Sequence, residues 1–248
     1  TLSALVAHHI AAIPFENIDV LLERGVDIGP EAVDAKLIGR QRGGYCFEQN
    51  GLFRRVLASV GFEVEALAAR VLWRANANHP ALPRTHCALR VQLEGQPWLV
   101  DVGFGGWVPT APLRIHDAAP QTVRHEMFRV TPHAHAAILE ARIEGVWRTL
   151  YELAPQPLLN VDYLPLNWFT STHPTSIFRR DLMVARTDNG VRYGLLNGRL
   201  TIREASGAIT RRQLDAAQLA DALHRCFKLT VEPSWHPLLE RIAAIIEE

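Results

Sequence analysis

Cys46-Phe47-Glu48-Gln49-Asn50-Gly51-Leu52-Phe53-Arg54-Arg55-Val56-Leu57-Ala58-Ser59-Val60-Gly61 runs directly into Phe62-Glu63-Val64-Glu65-Ala66-Leu67-Ala68-Ala69-Arg70-Val71. The hydrophobic period changes at that junction. Leu52, Phe53, Val56, Leu57 and Val60 recur at three- and four-residue steps, which predicts a helix over 46–60. Gly61 is a natural stop for it. From Phe62 the period falls to about two, which predicts a strand over 64–71. Upstream, Leu2, Leu5, Val6, His9 and Ile10 follow helical spacing, and Pro14-Phe15-Glu16-Asn17 reads as a loop. Residues 30–38 predict a second helix with Pro at an early position. Downstream, strands are expected over 88–93, 98–102, 126–130, 137–143 and 146–152, with Gly95, Gly145 and prolines between them. A mixed region follows, with strands over 182–186, 191–196 and 199–203 and helices over 213–227 and 237–246. Helices, then short strands, then a mixed segment describe an α+β chain built around an antiparallel sheet or barrel.

The 248 residues include 26 basic and 26 acidic side chains, so the net charge gives no footprint for nucleic acid or an anionic membrane. Apolar content of 48% is that of a folded globular protein. No apolar run reaches the length of a membrane span. The three cysteines, Cys46, Cys87 and Cys226, form neither a disulfide framework nor a C-x-x-C metal site, and point to a reducing, cytoplasmic setting. No secretory signal is visible. The chain opens at Thr1 inside a helical pattern, so native sequence upstream is expected.

Cys46 follows a Gly-Gly pair and opens a helix. Free N–H groups and the positive end of the helix dipole at such a position favour the thiolate, and Arg42 lies close by in sequence. The Cys46 N–H is a natural oxyanion donor. Cys87 and Cys226 lack this context and are read as inert.

Thr85-His86-Cys87-Ala88-Leu89-Arg90-Val91-Gln92-Leu93 alternates as a strand, Glu94-Gly95-Gln96 turns, and Trp98-Leu99-Val100-Asp101-Val102 returns. With a two-residue turn at Glu94-Gly95 or Gly95-Gln96, His86 and Asp101 share one face of the hairpin. In the first of these registers they are diagonal neighbours within side-chain reach. A three-residue turn would separate them. Cys46, His86 and Asp101 together are the parts of a thiol triad: nucleophile, proton acceptor, and the carboxylate that fixes the imidazole. A cysteine at a helix start facing a His/Asp hairpin is the arrangement of papain-like and transglutaminase-like enzymes.

Arg42-Gly43-Gly44-Tyr45-Cys46-Phe47-Glu48-Gln49-Asn50-Gly51-Leu52-Phe53 resembles the active-site cysteine motif of the arylamine N-acetyltransferases. Pro14-Phe15-Glu16-Asn17, Thr85-His86, Val100-Asp101-Val102-Gly103-Phe104-Gly105-Gly106 and Ser171-Thr172-His173-Pro174 resemble further motifs of that family, in order along the chain. Family members usually carry a further helical segment before the first of these motifs. The resemblance implies Cys46, His86 and Asp101 as the triad. It implies three regions: a helical bundle over 1–61, an antiparallel β-barrel over 62–166 and an α/β lid over 167–248. It also implies acetyl transfer from acetyl-CoA to an arylamine, arylhydroxylamine or arylhydrazine, through an acetyl-cysteine and in two steps. An amide synthase using the same triad is the alternative. A thiol hydrolase and a non-enzymatic binding module stand further off.

Phe104 is a candidate wall for a flat aromatic substrate, and Val71 and Thr85 resemble acceptor-pocket positions. Gly105, Gly106 and Thr110 are candidates for backbone approach by coenzyme A. Glu16 and Arg42 are expected to pair and to fix the loop before Cys46. The short-spaced histidines His8-His9 and His133/His135 are read as surface or core residues, and no metal is expected. Partners are limited to small molecules, with the protein a monomer or homodimer.

Overall fold

Helix α4 (Cys46–Ser59) is the element around which the chain is arranged. The computed structural model describes residues 1–75, 82–134 and 136–245. Glu48 Oε2 accepts the Tyr45 N–H at 2.9 Å and satisfies the helix entry. The approach needs glycine before it, because a Cβ on Gly44 would lie 2.6 Å from that carboxylate oxygen. At the far end Gly61, with φ +92°, stops the helix as its sequence predicts. Cys46, Phe47, Phe53 and Leu57 of α4 pack into one cluster with Ala66 and Ala68 of β2 (Glu63–Val71) and Cys87, Leu89 and Val91 of β3 (His86–Leu93). Leu57 is fully buried there; truncating such a leucine costs about 2–5 kcal/mol. Helix α1 (Leu2–Ala12) adds Leu2, Val6 and Ile10 to the same core.

The opposite faces of β2 and β3 also point inward, which is why four consecutive residues of each are buried. Leu67, Ala69 and Ala88 belong to a second core inside an eight-stranded antiparallel sheet. Its remaining strands are β4 (Gln96–Val100), β5 (Leu113–Arg114), β6 (Gln121–Val123), β7 (Glu126–His133), β8 (Ala136–Ile143) and β9 (Val146–Pro157). The order is β5-β4-β3-β2-β9-β8-β7-β6, and β5 comes up against β7, so the sheet curls nearly closed as a barrel. Register shifts in β2–β9 between Leu67 and Ala69, and in β8–β9 between Leu139 and Glu140, supply local bends. Leu99, Leu113, Phe128, Leu139, Leu150 and Tyr151 fill the interior.

A second antiparallel sheet has the order β1-β10-β11-β12-β13, from β1 (Phe15–Glu16), β10 (Met183–Asp188), β11 (Val191–Leu196), β12 (Arg199–Arg203) and β13 (Ile209–Gln213). Helices α6 (Ala216–Arg225) and α7 (His236–Ala243) pack on it through Leu219, Leu223, Leu238 and Ile242, joined by Ile18 and Leu21 of α2 (Ile18–Leu21). The expected helix over 213–227 starts later. Asp215 accepts the Gln218 N–H at 2.8 Å and Gln218 Oε1 accepts the Asp215 N–H at 3.0 Å, a reciprocal cap that fixes the start and leaves 209–213 to a strand. The helix over 30–38 divides into α3 (Pro30–Asp34) and a π-helical turn, Ala35–Gly39, from which Lys36 reaches Asp19 at 2.8 Å and Glu48 at 2.7 Å. Helix α5 (Tyr163–Thr172) was not expected; Pro165 in its first turn is tolerated because no helical bond needs its missing N–H.

Candidate active site

The hairpin turn at Glu94-Gly95 has positive φ at both residues, 53° and 74°, a type I′ turn that pairs Leu93 with Gln96. Leu89 therefore pairs with Val100, and His86 and Asp101 become diagonal neighbours on one face. His86 Nε2 lies 2.7 Å from Asp101 Oδ2, and both residues are buried. Asp101 itself sits one residue beyond the end of β4, where the chain leaves the sheet. Its other oxygen, Oδ1, accepts the Gly103 N–H at 2.8 Å and an Asn50 Nδ2–H at 3.0 Å. Burial works against a charge on Asp101, but the donors from His86, Asn50 and Gly103 outweigh it and hold the carboxyl below its ordinary range.

Cys46 is the first residue of α4 and is 2% exposed. Its Sγ–H is directed to the carbonyl of Thr85, 3.7 Å away, so the sulfur lies beside the peptide that enters His86. Burial pushes the Cys46 thiol well up, and the nearby Cys87 and Asp101 add to this; the backbone N–H groups of Cys87 and Phe47 oppose it. The backbone N–H groups expected to favour the thiolate are in place, but burial outweighs them, and Arg42 does not add to them. Arg42 is turned away and fully engaged: its Nη2 donates to Glu16 at 2.8 Å and Asp19 at 3.2 Å, its Nη1 donates to Glu232 at 3.1 Å, and the guanidinium lies 4.5 Å over the Trp235 ring. The expected Glu16–Arg42 pair is present, and it holds the loop before the cysteine.

Two aromatic rings meet beside the base. The Phe104 ring is 5.2 Å edge-on from His86, and Tyr151 lies 4.9 Å from His86 and 5.1 Å from Phe104. Val71 pairs across the sheet with Tyr151. So Phe104, Val71 and Thr85 are gathered round the hairpin. The Gly105 backbone packs on Phe15, with a Cβ there 3.4 Å from the ring. Gly106 is open, with nothing within 4 Å of a Cβ, and its carbonyl accepts from Arg192 at 3.0 Å. Thr110 is buried with its hydroxyl unpartnered. It lines a cavity of about 600 Å³ together with Trp107, Arg192, Arg203, Glu144 and His8, a space that none of Cys46, His86, Asp101 and Phe104 lines.

Among the described residues no cluster of His, Cys, Asp and Glu could hold a metal ion. His9 is buried on Gln49, His8 lines the cavity and His133 is exposed at the end of β7; His135 lies outside the described residues. Sequence reasoning missed Gln49, Asn50 and Tyr151. For the first two a signal existed: Glu48-Gln49-Asn50 is a polar run on a helix otherwise patterned for burial, and all three are buried.

A model of the N-acetyltransferase family matches residues 1–236. The arylamine N-acetyltransferase of Mycolicibacterium smegmatis is 40% identical over 252 residues, covering 100% of this chain and 91% of that protein. The arylamine N-acetyltransferase of Escherichia coli is 38% identical over 239 residues, covering 95% and 84%. The solved structure of Mycobacterium marinum arylamine N-acetyltransferase in complex with CoA superposes with a TM-score of 0.91 at 38% identity, covering 98% of this chain and 92% of that one.

Proposed function

Since the chain belongs to the arylamine N-acetyltransferase family, we propose that it transfers acetyl from acetyl-CoA to the nitrogen of an arylamine, arylhydroxylamine or arylhydrazine through an acetyl-Cys46 intermediate. The observation that carries this reading is the 2.7 Å His86–Asp101 bond placed one residue from the carbonyl that holds the Cys46 sulfur. A lone thiolate is costly in so buried a site. Passing the Cys46 proton to His86 leaves the local net charge unchanged and turns the Asp101 carboxylate into the counter-ion of the imidazolium. With Nε2 held by Asp101, Nδ1 is the ring nitrogen left to take that proton.

The Cys46 thiolate attacks the thioester carbonyl. The C–S bond to coenzyme A breaks, and His86 returns its proton to the departing sulfur. The amine then attacks the acetyl carbon of acetyl-Cys46, His86 removes a proton from nitrogen, and the thiolate leaves. Arylamines are neutral at pH 7 and so keep their lone pair for this step. Phe104, Val71 and Thr85 form the acceptor walls. Gly106, open at its Cα, and the unpartnered Thr110 hydroxyl, with Gly105, are the coenzyme-facing set. No metal is required. The three free cysteines fit a cytoplasmic enzyme, and among the described residues no helix is long and apolar enough to cross a membrane. We read the protein as a monomer or homodimer.

Intact mass after brief exposure to acetyl-CoA without amine tests the route. One added acetyl group, mapped to the Cys46 peptide and discharged by an aromatic hydrazine, is the expected result. Amide product without any adduct would replace it by direct transfer, and peptide cleavage without acetylation by hydrolysis.

A further inference from the structure

Asn50 stands one helical turn after Cys46, on the same face of α4, and is completely buried. Its amide is fully committed. Nδ2 donates to the Cys87 carbonyl at 2.7 Å and to Asp101 Oδ1 at 3.0 Å, and Oδ1 accepts the Val102 N–H at 3.1 Å. The Val102 N–H can be met only by an oxygen, which fixes the orientation of the amide. One side chain on the nucleophile's helix thus touches the residue after the base and both the carboxylate and the backbone of the Asp101 loop. Those elements are pressed together here: a Cβ on Gly103 would lie 2.7 Å from Cys46 Cα and 2.8 Å from Asn50 Nδ2.

We propose that Asn50 is a positioning residue that divides the Asp101 carboxylate, occupying Oδ1 together with the Gly103 N–H so that Oδ2 is presented to His86 alone. The proposal rests on the triad reading given above. Asparagine is the residue the site requires because the carboxylate needs a neutral donor. An aspartate of the same shape would set a second buried carboxylate against Asp101 and would supply no donor until it took up a proton. A hydrocarbon would leave Asp101 Oδ1, the Cys87 carbonyl and the Val102 N–H without this partner.

Asn50→Asp, Asn50→Ser and Asp101→Asn are compared with the wild type in the full-length protein. The readouts are kcat and KM for both substrates, the pH profile of Cys46 alkylation by iodoacetamide, and urea unfolding. For Asn50→Asp near neutral pH, kcat is expected to fall about 100-fold, as for a catalytic group shifted by an ångström, with both KM values within about threefold of wild type. The alkylation profile is expected to move to higher pH, and the deficit to shrink as pH falls and the new carboxyl regains a proton to donate. Asn50→Ser, shorter and uncharged, is expected to lose kcat without that recovery. A role in folding alone would lower stability and leave both pH dependences in place. If Asp101→Asn alters the alkylation profile while both Asn50 variants keep wild-type kcat and profile, the positioning role is overturned. If Asp101→Asn itself leaves the profile unchanged, the triad reading falls, and this proposal with it.

Discussion

Acidification should unfold this protein partly through His9. The imidazole is buried edge-on against Phe53, with ring centroids 4.9 Å apart, and its Nε2 lies 2.6 Å from Gln49 Oε1. The Gln49 amide sets the tautomer: its Nε2 donates to the carbonyls of Pro14 at 2.8 Å and Gly44 at 3.3 Å, so its oxygen faces His9, which must carry the proton on Nε2. Burial lowers the His9 pKa from 6.5 to about 4, against a smaller upward pull from Gln49. Between those values the unfolded chain binds a proton that the folded chain does not, so stability rises with pH across the window. The contribution is complete above pH 6.5 and lost below about 4. The gap, at about 1.36 kcal/mol for each pH unit, comes to about 3 kcal/mol. Urea unfolding of wild type and His9→Gln over that range is the assay. Glutamine keeps an amide donor for Gln49 and does not titrate, so the wild-type curve should fall by about 3 kcal/mol more than the variant's. Other groups titrate alike in both proteins and cancel. Parallel curves would refute the reasoning. Activity should fall in the same window, because Gln49 braces the loop that enters Cys46.

Three further outcomes follow from the same contacts. Cys46→Ser should abolish acetyl transfer with thermal unfolding little changed, since a hydroxyl cannot form the anion near neutral pH that a thiol can; substantial residual rate would remove Cys46 as nucleophile. Gly103→Ala should destabilise by about 1–3 kcal/mol through overpacking and lose activity beyond that, because the added methyl meets Cys46 Cα; a wild-type melt and rate would show that the loop has room. Glu16→Gln, which breaks the buried half of the Arg42 network, should cost about 3–5 kcal/mol, whereas Glu232→Gln at its half-exposed rim should cost under about 1 kcal/mol; equal effects in urea unfolding would contradict the difference in burial.

The residues that could be placed from sequence were those whose neighbours are local. The His86–Asp101 diagonal depends only on parity across a tight turn, and the turn at Glu94-Gly95 delivers it. The α4 helix and its Gly61 stop were likewise written in a short window. What was not legible depends on distant chain. Tyr151 reaches His86 only because β9 folds back beside β2. The two-residue strand β1 has no periodicity to read; its existence depends on β10. Arg42 follows the same rule. It is close to Cys46 in sequence, but Glu16, Asp19 and Glu232 claim its charge. The setting of the thiol divides in the same way: a helix start is visible in sequence, while full burial beside Cys87 and Asp101 is set by tertiary packing.

The edge strand β1 has a consequence for the order of events during synthesis. Phe15 and Glu16 find their partners in Ala185 and Val184, Asn17 donates to the Phe178 carbonyl 161 residues away, and Arg42 closes onto Glu232. A ribosome releases the N-terminal helices long before any of these partners exists. Contacts of such separation are formed late and slowly. The loop carrying Gly43 and Gly44 is anchored to β1 through the Phe15–Gly44 bridge, so a nascent chain has its cysteine but not the frame that aims it. The frame around the sulfur is therefore incomplete until residues 183–213, which supply β10 to β13 of the second sheet, have been made.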